Sequence, residues 1–410
     1  LSLTAGKKRL LSIAILAIAF YQMPLNALMP VINTVVESVF TDRTLAEVQT
    51  AFAFANFVMP VVSLLGAFLI NRGVITKKTA VWAGLTCLGL SAVSVVIMHE
   101  SFWQLYFASA VMGIGMGLFV PNAFGLLFDN FEPGERQTLA GYQTSCVNLG
   151  GIVLSVCGGL LGSAFWYGGY LLLAGGFIVA ALVFIAVPNY RAPAAGTRGG
   201  RRGGLKLDPR VFYYCGIVFF FMLCYNAGGS NISTHISSGG MGDFTVAGKF
   251  ITSTALAGAA TAVQMAGGVV SGLFFGKLSA KFRDHLIAIA MCLIFLGFMV
   301  LSLFERSVAA TFVAVFVVGM SISLAMPRCV FAVSTLVDAD SSAIATSLVT
   351  CIAPSIGAFL SPVIITNLTT AIGGESTAFR YRFVGIAALL IAACIAAITA
   401  LRTRRESARI

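Results

Sequence analysis

The chain is poor in charge. Only 10% of its 410 residues are Asp, Glu, Lys or Arg, against about 25% in an ordinary soluble domain. With 58% of residues hydrophobic, it cannot hide its apolar surface in water. Histidine is scarcer still: His99, His235 and His285 lie in or beside loops, far apart, which excludes a His-rich metal cluster. The nine Cys all fall in apolar stretches and form no CxxC pair, so they read as small buried residues with no disulfide framework or metal site. Acids are missing from the centres of the apolar stretches, where Glu37, Glu47, Asp129 and Asp338 mark only the ends. Without paired carboxylates, a metal cluster or an activated nucleophile, a membrane enzyme is excluded and no cofactor is expected.

What is present is length. A lipid-crossing helix needs about 20 mostly apolar residues, at about 1.5 Å of rise each. Such stretches run at 10–35, 47–70, 79–98, 102–127, 138–162, 167–188, 211–232, 246–275, 285–303, 308–334, 342–366 and 383–401. Twelve spans in an all-α integral membrane protein are therefore expected. Pro24 and Pro30 predict a bend in the first, which is too long for a signal-peptide core and reads as a retained span.

Orientation follows from Lys and Arg, which favour the cytoplasmic side. With both termini inside, 20 of the 26 basic residues collect on one face, five fall outside (Arg43, Lys249, Arg306, Arg380, Arg382), and Arg328 lies within a span. This asymmetry accounts for the net charge of +11. The basic run Arg198 to Lys206 reads as an inner loop near anionic lipid, and nucleic acid is not an expected partner. The expected location is the cytoplasmic membrane, and the expected state is a monomer in the lipid bilayer.

The Gly-, Arg-, Ala- and Pro-rich segment 189–210 reads as a cytoplasmic linker between bundles at 1–188 and 211–410. These halves echo each other at an offset of about 206 residues. Gly113 precedes Pro121-Asn122 in the fourth span as Gly319 precedes Pro327-Arg328 in the tenth. Gly66, before Asn71-Arg72-Gly73 and Lys77-Lys78, corresponds to Gly272, before Gly276-Lys277-Leu278 and Lys281. Duplication of a six-span unit is a usual construction of secondary transporters. Gly150-Gly151, Gly158-Gly159 and Gly267-Gly268 read as close helix packing.

On its twelve spans, its basic central loop and its Gly-plus-basic loops after spans two and eight, the chain resembles the major facilitator superfamily over essentially its whole length. The resemblance implies two pseudo-symmetric six-helix bundles, alternating access, and a cavity lined by spans one, four, seven and ten. The loop pattern departs from the family's. Asn71 stands where an acid is expected, and Gly276-Lys277 has none. The gating positions are accordingly Asn71, Arg72, Lys77, Lys78, Lys277 and Lys281.

Arg328 is the one ionisable residue expected deep in a span. If the tenth span ends near Asp338, Arg328 lies about 15 Å from that end, near mid-bilayer. A permanently charged guanidinium there needs a counter-charge. With no acid evident at that depth, an anionic small-molecule substrate is the expected partner. The competing reading ties Arg328 to backbone carbonyls opened by Pro327. Further candidates for substrate contact are Tyr21, Gln22 and Asn26 on span one, Asn122 on span four, and Tyr225, Asn226, Ser230 and Asn231 on span seven. Gln143, Asn148, Gln264 and Ser355 read as packing bonds. Lacking a buried titratable group, the chain is expected to work by uniport or anion exchange.

The rival is an exporter of amphipathic drugs or lipid-like compounds, suggested by 33 Phe and 13 Met. Drug–proton exchangers of the superfamily show an Arg early in span four and a Gly-Pro motif in span five. Phe107 to Gly113 holds no Arg, and Cys157-Gly158-Gly159 holds no Pro. The anion reading is preferred. A solute receptor would need an added signalling domain, and no segment outside the spans is long enough to fold as one.

Overall fold

The computed structural model describes residues 5–131, 133–188, 208–242, 244–246, 249–334, 336, 345 and 347–407. Among them, eleven helices are long and apolar enough to cross a bilayer, and the bent pair Gly6–Phe20 and Pro24–Val39 makes a twelfth when counted as one span. Leu273, Ile178, Ile185 and Ile97 are 72% to 79% exposed. A surface so apolar would aggregate in water, and it matches lipid.

Contacts divide the chain into two units. One comprises Leu1–Arg43 with Thr50–Gly204, the other Thr44–Gln49 with Leu205–Ile410. In the first unit, span one breaks between Phe20 and Pro24 and turns by 56°. Pro24 and Pro30 cannot donate backbone hydrogen bonds, and each sits in a short 3₁₀ turn, Pro24–Ala27 and Met29–Val31. Span two is the helix Leu45–Asn71, counted in this unit from Thr50 on, and spans three to five are Lys77–Ile97, Phe102–Asn130 and Pro133–Ala164. Span six runs from Gly168 to Ala186. Thr76 starts span three by accepting a hydrogen bond from the Thr79 N–H at 3.1 Å.

The second unit holds spans seven (Pro209–Ser238), eight (Ser253–Phe282), nine (His285–Leu303), ten (Val308–Ser334), eleven (Leu348–Ala371) and twelve (Thr377–Ser407). Its core gathers Tyr214, Phe221, Phe298 and Tyr381, all buried.

Glycine sets the closest helix approaches, as the packing reading expects. A Cβ on Gly113 of span four would stand 2.6 Å from the carbonyl oxygen of Ala55 in span two. Gly319, its counterpart in the repeat, lies in the same way against the Gln264 carbonyl of span eight. Gly150, Gly158 and Gly267 likewise face the carbonyls of Phe20, Ala27 and Phe316.

Several boundaries differ from expectation, three of them at residues that bear on the site. Span seven continues to Ser238, so His235 is a buried helical residue and not a loop residue. Span eight begins at Ser253 and not near 246, because Phe244–Val246 pairs antiparallel with Lys249–Ile251 in a small hairpin. Span twelve begins at Thr377, which draws Arg380 and Arg382 out of the expected outer loop and into the helix. Residues 189–207 of the expected linker, and Asp338, lie outside the described residues.

Candidate functional site

In the second unit, Arg328 is paired. Its Nε and Nη2 both donate to Oδ1 of Asp284, at 2.9 and 2.7 Å. The other carboxylate oxygen, Oδ2, accepts the Tyr214 hydroxyl at 2.9 Å. The guanidinium also lies 5.4 Å from the Phe331 ring centre. Arg328 and Asp284 side chains keep 13% and 28% of their surface exposed, so the pair is half-buried and open on one side. Arg283, at φ 49°, makes the turn between spans eight and nine in a conformation uncommon for a side chain of its size. That turn brings Asp284 to both Tyr214 of span seven and Arg328 of span ten.

This corrects the expectation that no acid lies near Arg328: Asp284, the residue immediately before span nine, is its partner. Arg328 stands six residues before Ser334, where the helix of span ten ends. Among the described residues its bonds run to this carboxylate and not to backbone carbonyls opened by Pro327.

The span-seven candidates lie elsewhere. Asn226 is 12 residues beyond Tyr214, about 18 Å along the helix. Asn226 Nδ2 donates to the Met222 carbonyl at 2.9 Å and Ser230 Oγ to the Asn226 carbonyl at 2.9 Å. Tyr225 is buried, stacked on Phe221 at 5.9 Å, with its hydroxyl engaged by Gln264. Asn231 accepts from Arg380 in a separate cluster. One expected site is therefore two places on one helix.

In the first unit, Asn122 donates to the Leu118 carbonyl at 2.7 Å, one turn back on its own helix. Tyr21, at the break in span one, donates to the Leu172 carbonyl of span six at 3.1 Å. Asn26 Nδ2 lies 3.8 Å from Met23 Sδ. Beside Tyr21, Gln22 Nε2 is buried with no partner among the described residues. A buried donor left open at a broken helix is a ligand signal, and Gln143 of span five, read as a packing residue, likewise has both polar atoms buried without a partner among the described residues.

Of the gating positions, Arg72 lies over the Phe68 ring at 4.1 Å and Lys78 over Phe184 at 5.1 Å. Lys77 packs beside Gly125 of span four. Lys277 and Lys281 belong to the last turns of span eight and not to a loop, exposed, with Lys281 5.4 Å from the Phe282 ring. The Asn71 side chain lies outside the described residues.

Sequence reasoning missed Asp284 and Tyr214. The available signal was an acid abutting the first residue of a span, within reach of a long Arg side chain on the next. Tyr214→Phe removes one hydrogen bond to a carboxylate and should lower stability by about 1.5 kcal/mol, read as a fall in the thermal unfolding midpoint of detergent-solubilised protein.

A duplicated set of apolar spans, an interrupted first span and a charged pair inside one bundle define a polytopic membrane transporter, not an enzyme. The Major Facilitator Superfamily profile matches residues 10–261, and the chain belongs to that family, as a secondary transporter. Its fold is similar to that of the POT family transporter PepTSo, at 12% identity, over 96% of this chain and 97% of that one, with a TM-score of 0.75. It is similar also to the nucleoside transporter NupG (12% identity, 94% and 99% covered, TM-score 0.73) and to a POT peptide transporter in complex with alafosfalin (17%, 95% and 94%, 0.68). At these identities the likeness is one of fold.

Proposed function

We propose that the chain carries a small organic monoanion together with a proton, with Arg328 as the substrate's counter-charge and Asp284 holding that charge in reserve. The observation that carries this reading is the geometry of the pair. Both donating nitrogens of Arg328 converge on one oxygen, Oδ1, and Nη1 has no partner among the described residues. A carboxylate arriving from the exposed side meets a guanidinium already positioned for it.

Charge balance dictates the coupling. The empty site, Arg328 with ionised Asp284, is neutral. Adding a monoanion leaves one negative charge in excess, and closing a dry cavity around it would cost several kcal/mol. A proton on the displaced Asp284 restores neutrality. Both forms that must reorient, empty and doubly loaded, are then uncharged. The expectation of uniport or exchange rested on a site without a carboxylate, and Asp284 removes that premise.

A second reading follows from the 18 Å between the pair and the mid-span groups of span seven. There the pair only ties the ends of spans seven, nine and ten, and the cargo is a neutral polar or amphipathic solute.

Uptake into proteoliposomes separates the two. Wild type should accumulate monocarboxylates when a pH gradient is imposed. Arg328→Gln should lose about 100-fold, equal to two charge-assisted hydrogen bonds of about 1.5 kcal/mol each. Unchanged uptake of the same anion by Arg328→Gln would discard the proposal. Transport of neutral solutes alone, by both proteins, would establish the second reading.

A further inference from the structure

The second unit contains another arginine, buried, with no acidic partner among the described residues. Arg380, in the first turns of span twelve, is 5% exposed. Its Nη1 reaches Asn231 Oδ1 at 3.3 Å and its Nη2 reaches Thr370 Oγ1 at 3.5 Å, both long and both to neutral groups. Its Nε is buried with no partner among the described residues. Asn231 Oδ1 is moreover shared, since Gln49, of the same unit, donates to it at 3.2 Å. Glu375, the acid in electrostatic reach, is exposed, and no carboxylate lies within ion-pair distance among the described residues.

On span seven, one turn beyond Asn231, His235 Nε2 and Thr234 Oγ1 are also buried with no partner among the described residues. His235 meets Thr377 Oγ1 at 3.3 Å through Nδ1 and packs edge-on against Tyr381. Neutral hydroxyl and carboxamide dipoles do not cancel a full charge in low dielectric, and a buried unpaired nitrogen on such a cation calls for a counter-charge.

We propose that Arg380 centres a second anion site in the second unit, taking a small inorganic monoanion of chloride size, bound through the unpartnered Nε of its guanidinium. Burial of the guanidinium excludes a bulky organic anion or a lipid headgroup. The site is distinct from the Arg328 pair. Their span-seven contacts, Asn231 and Tyr214, are 17 residues apart, about 25 Å along the helix. The bound anion neutralises Arg380 and holds spans seven and twelve together, and this role stands whether or not Arg328 meets cargo.

Thermal unfolding of the full chain in detergent tests it, with sodium chloride exchanged for sodium gluconate at constant ionic strength. Chloride should raise the wild-type midpoint saturably, by about 3 °C or more, and bromide should substitute for it. Asn231→Asp sets a carboxylate within reach of Nη1. It should abolish the chloride response while unfolding no lower than chloride-loaded wild type. Arg380→Gln should also be insensitive to chloride, and if it fails to fold, Asn231→Asp carries the decision. A wild-type midpoint equal in chloride and gluconate would overturn the proposal. So would an Asn231→Asp variant as responsive as wild type, or stabilisation by inorganic phosphate and not by chloride.

Discussion

Asp284→Asn should separate exchange from net transport. Under the proposed mechanism the empty wild-type carrier returns as a neutral species, because Asp284 cancels Arg328 across a 2.7 Å contact. The asparagine variant returns with an uncompensated guanidinium. Taking that charge through a closed, dry state costs several kcal/mol, and about 2.8 kcal/mol already slows return 100-fold. Net uptake should therefore fall by about two orders of magnitude. The loaded variant, with Arg328 facing the substrate anion and no second carboxylate present, is neutral. Exchange of internal for external anion should persist within a few-fold of wild type. Because the substrate no longer competes with a resident carboxylate, its affinity should rise about tenfold, a gain of about 1.4 kcal/mol. Counterflow and net uptake measured on the same vesicles check all three. Persistent exchange also shows the variant to be folded, which a plain loss of activity would not. Loss of both activities together would mean that Asp284 acts as a structural tie and not as the partner that substrate displaces.

Arg328 and its surroundings mark how far a single sequence is legible. Spans were readable because lipid demands long apolar runs with few charges, and the repeat was readable because Gly113, Pro121 and Asn122 recur as Gly319, Pro327 and Arg328. Boundaries were less so. The hairpin strands Phe244–Val246 and Lys249–Ile251 are apolar enough to pass for the start of span eight. Polar residues near span ends read as loop residues, a pattern that misplaces His235 and Arg380. Their burial is set by other helices, through Thr377, Tyr381 and Asn231, which no local pattern encodes. Arg328 stood out as an isolated charge, but Asp284 did not, since a residue one position before a span reads as solvated. Its role depends on a turn at Arg283 that aims it back between spans seven and ten.

The second large effect concerns packing. In lipid there is little hydrophobic force between helices, so association rests on van der Waals contact at close range. Gly319 brings span ten so near to span eight that a Cβ there would overlap the Gln264 carbonyl oxygen, and backbone cannot step aside as a flexible side chain would. The same residue, Gln264, engages the Tyr225 hydroxyl of span seven, so a shift of span eight disturbs two interfaces. Gly319→Ala should destabilise by about 1–3 kcal/mol and Gly319→Val by more, enough to leave little folded protein in detergent. Gly113→Ala, 2.6 Å from the Ala55 carbonyl, should act alike in the first unit. Gly229→Ala is the control, because no atom stands within 4 Å of the position its Cβ would take. Alanine there should be neutral or stabilising by about 0.5–1 kcal/mol, since it only narrows the unfolded ensemble and favours helix. Thermal unfolding midpoints of the three alanine variants decide the matter. A Gly319→Ala midpoint equal to that of Gly229→Ala would mean that spans eight and ten do not approach so closely. A paired fall at Gly113 and Gly319 would show that the two units hold their helices by the same contact, 206 residues apart.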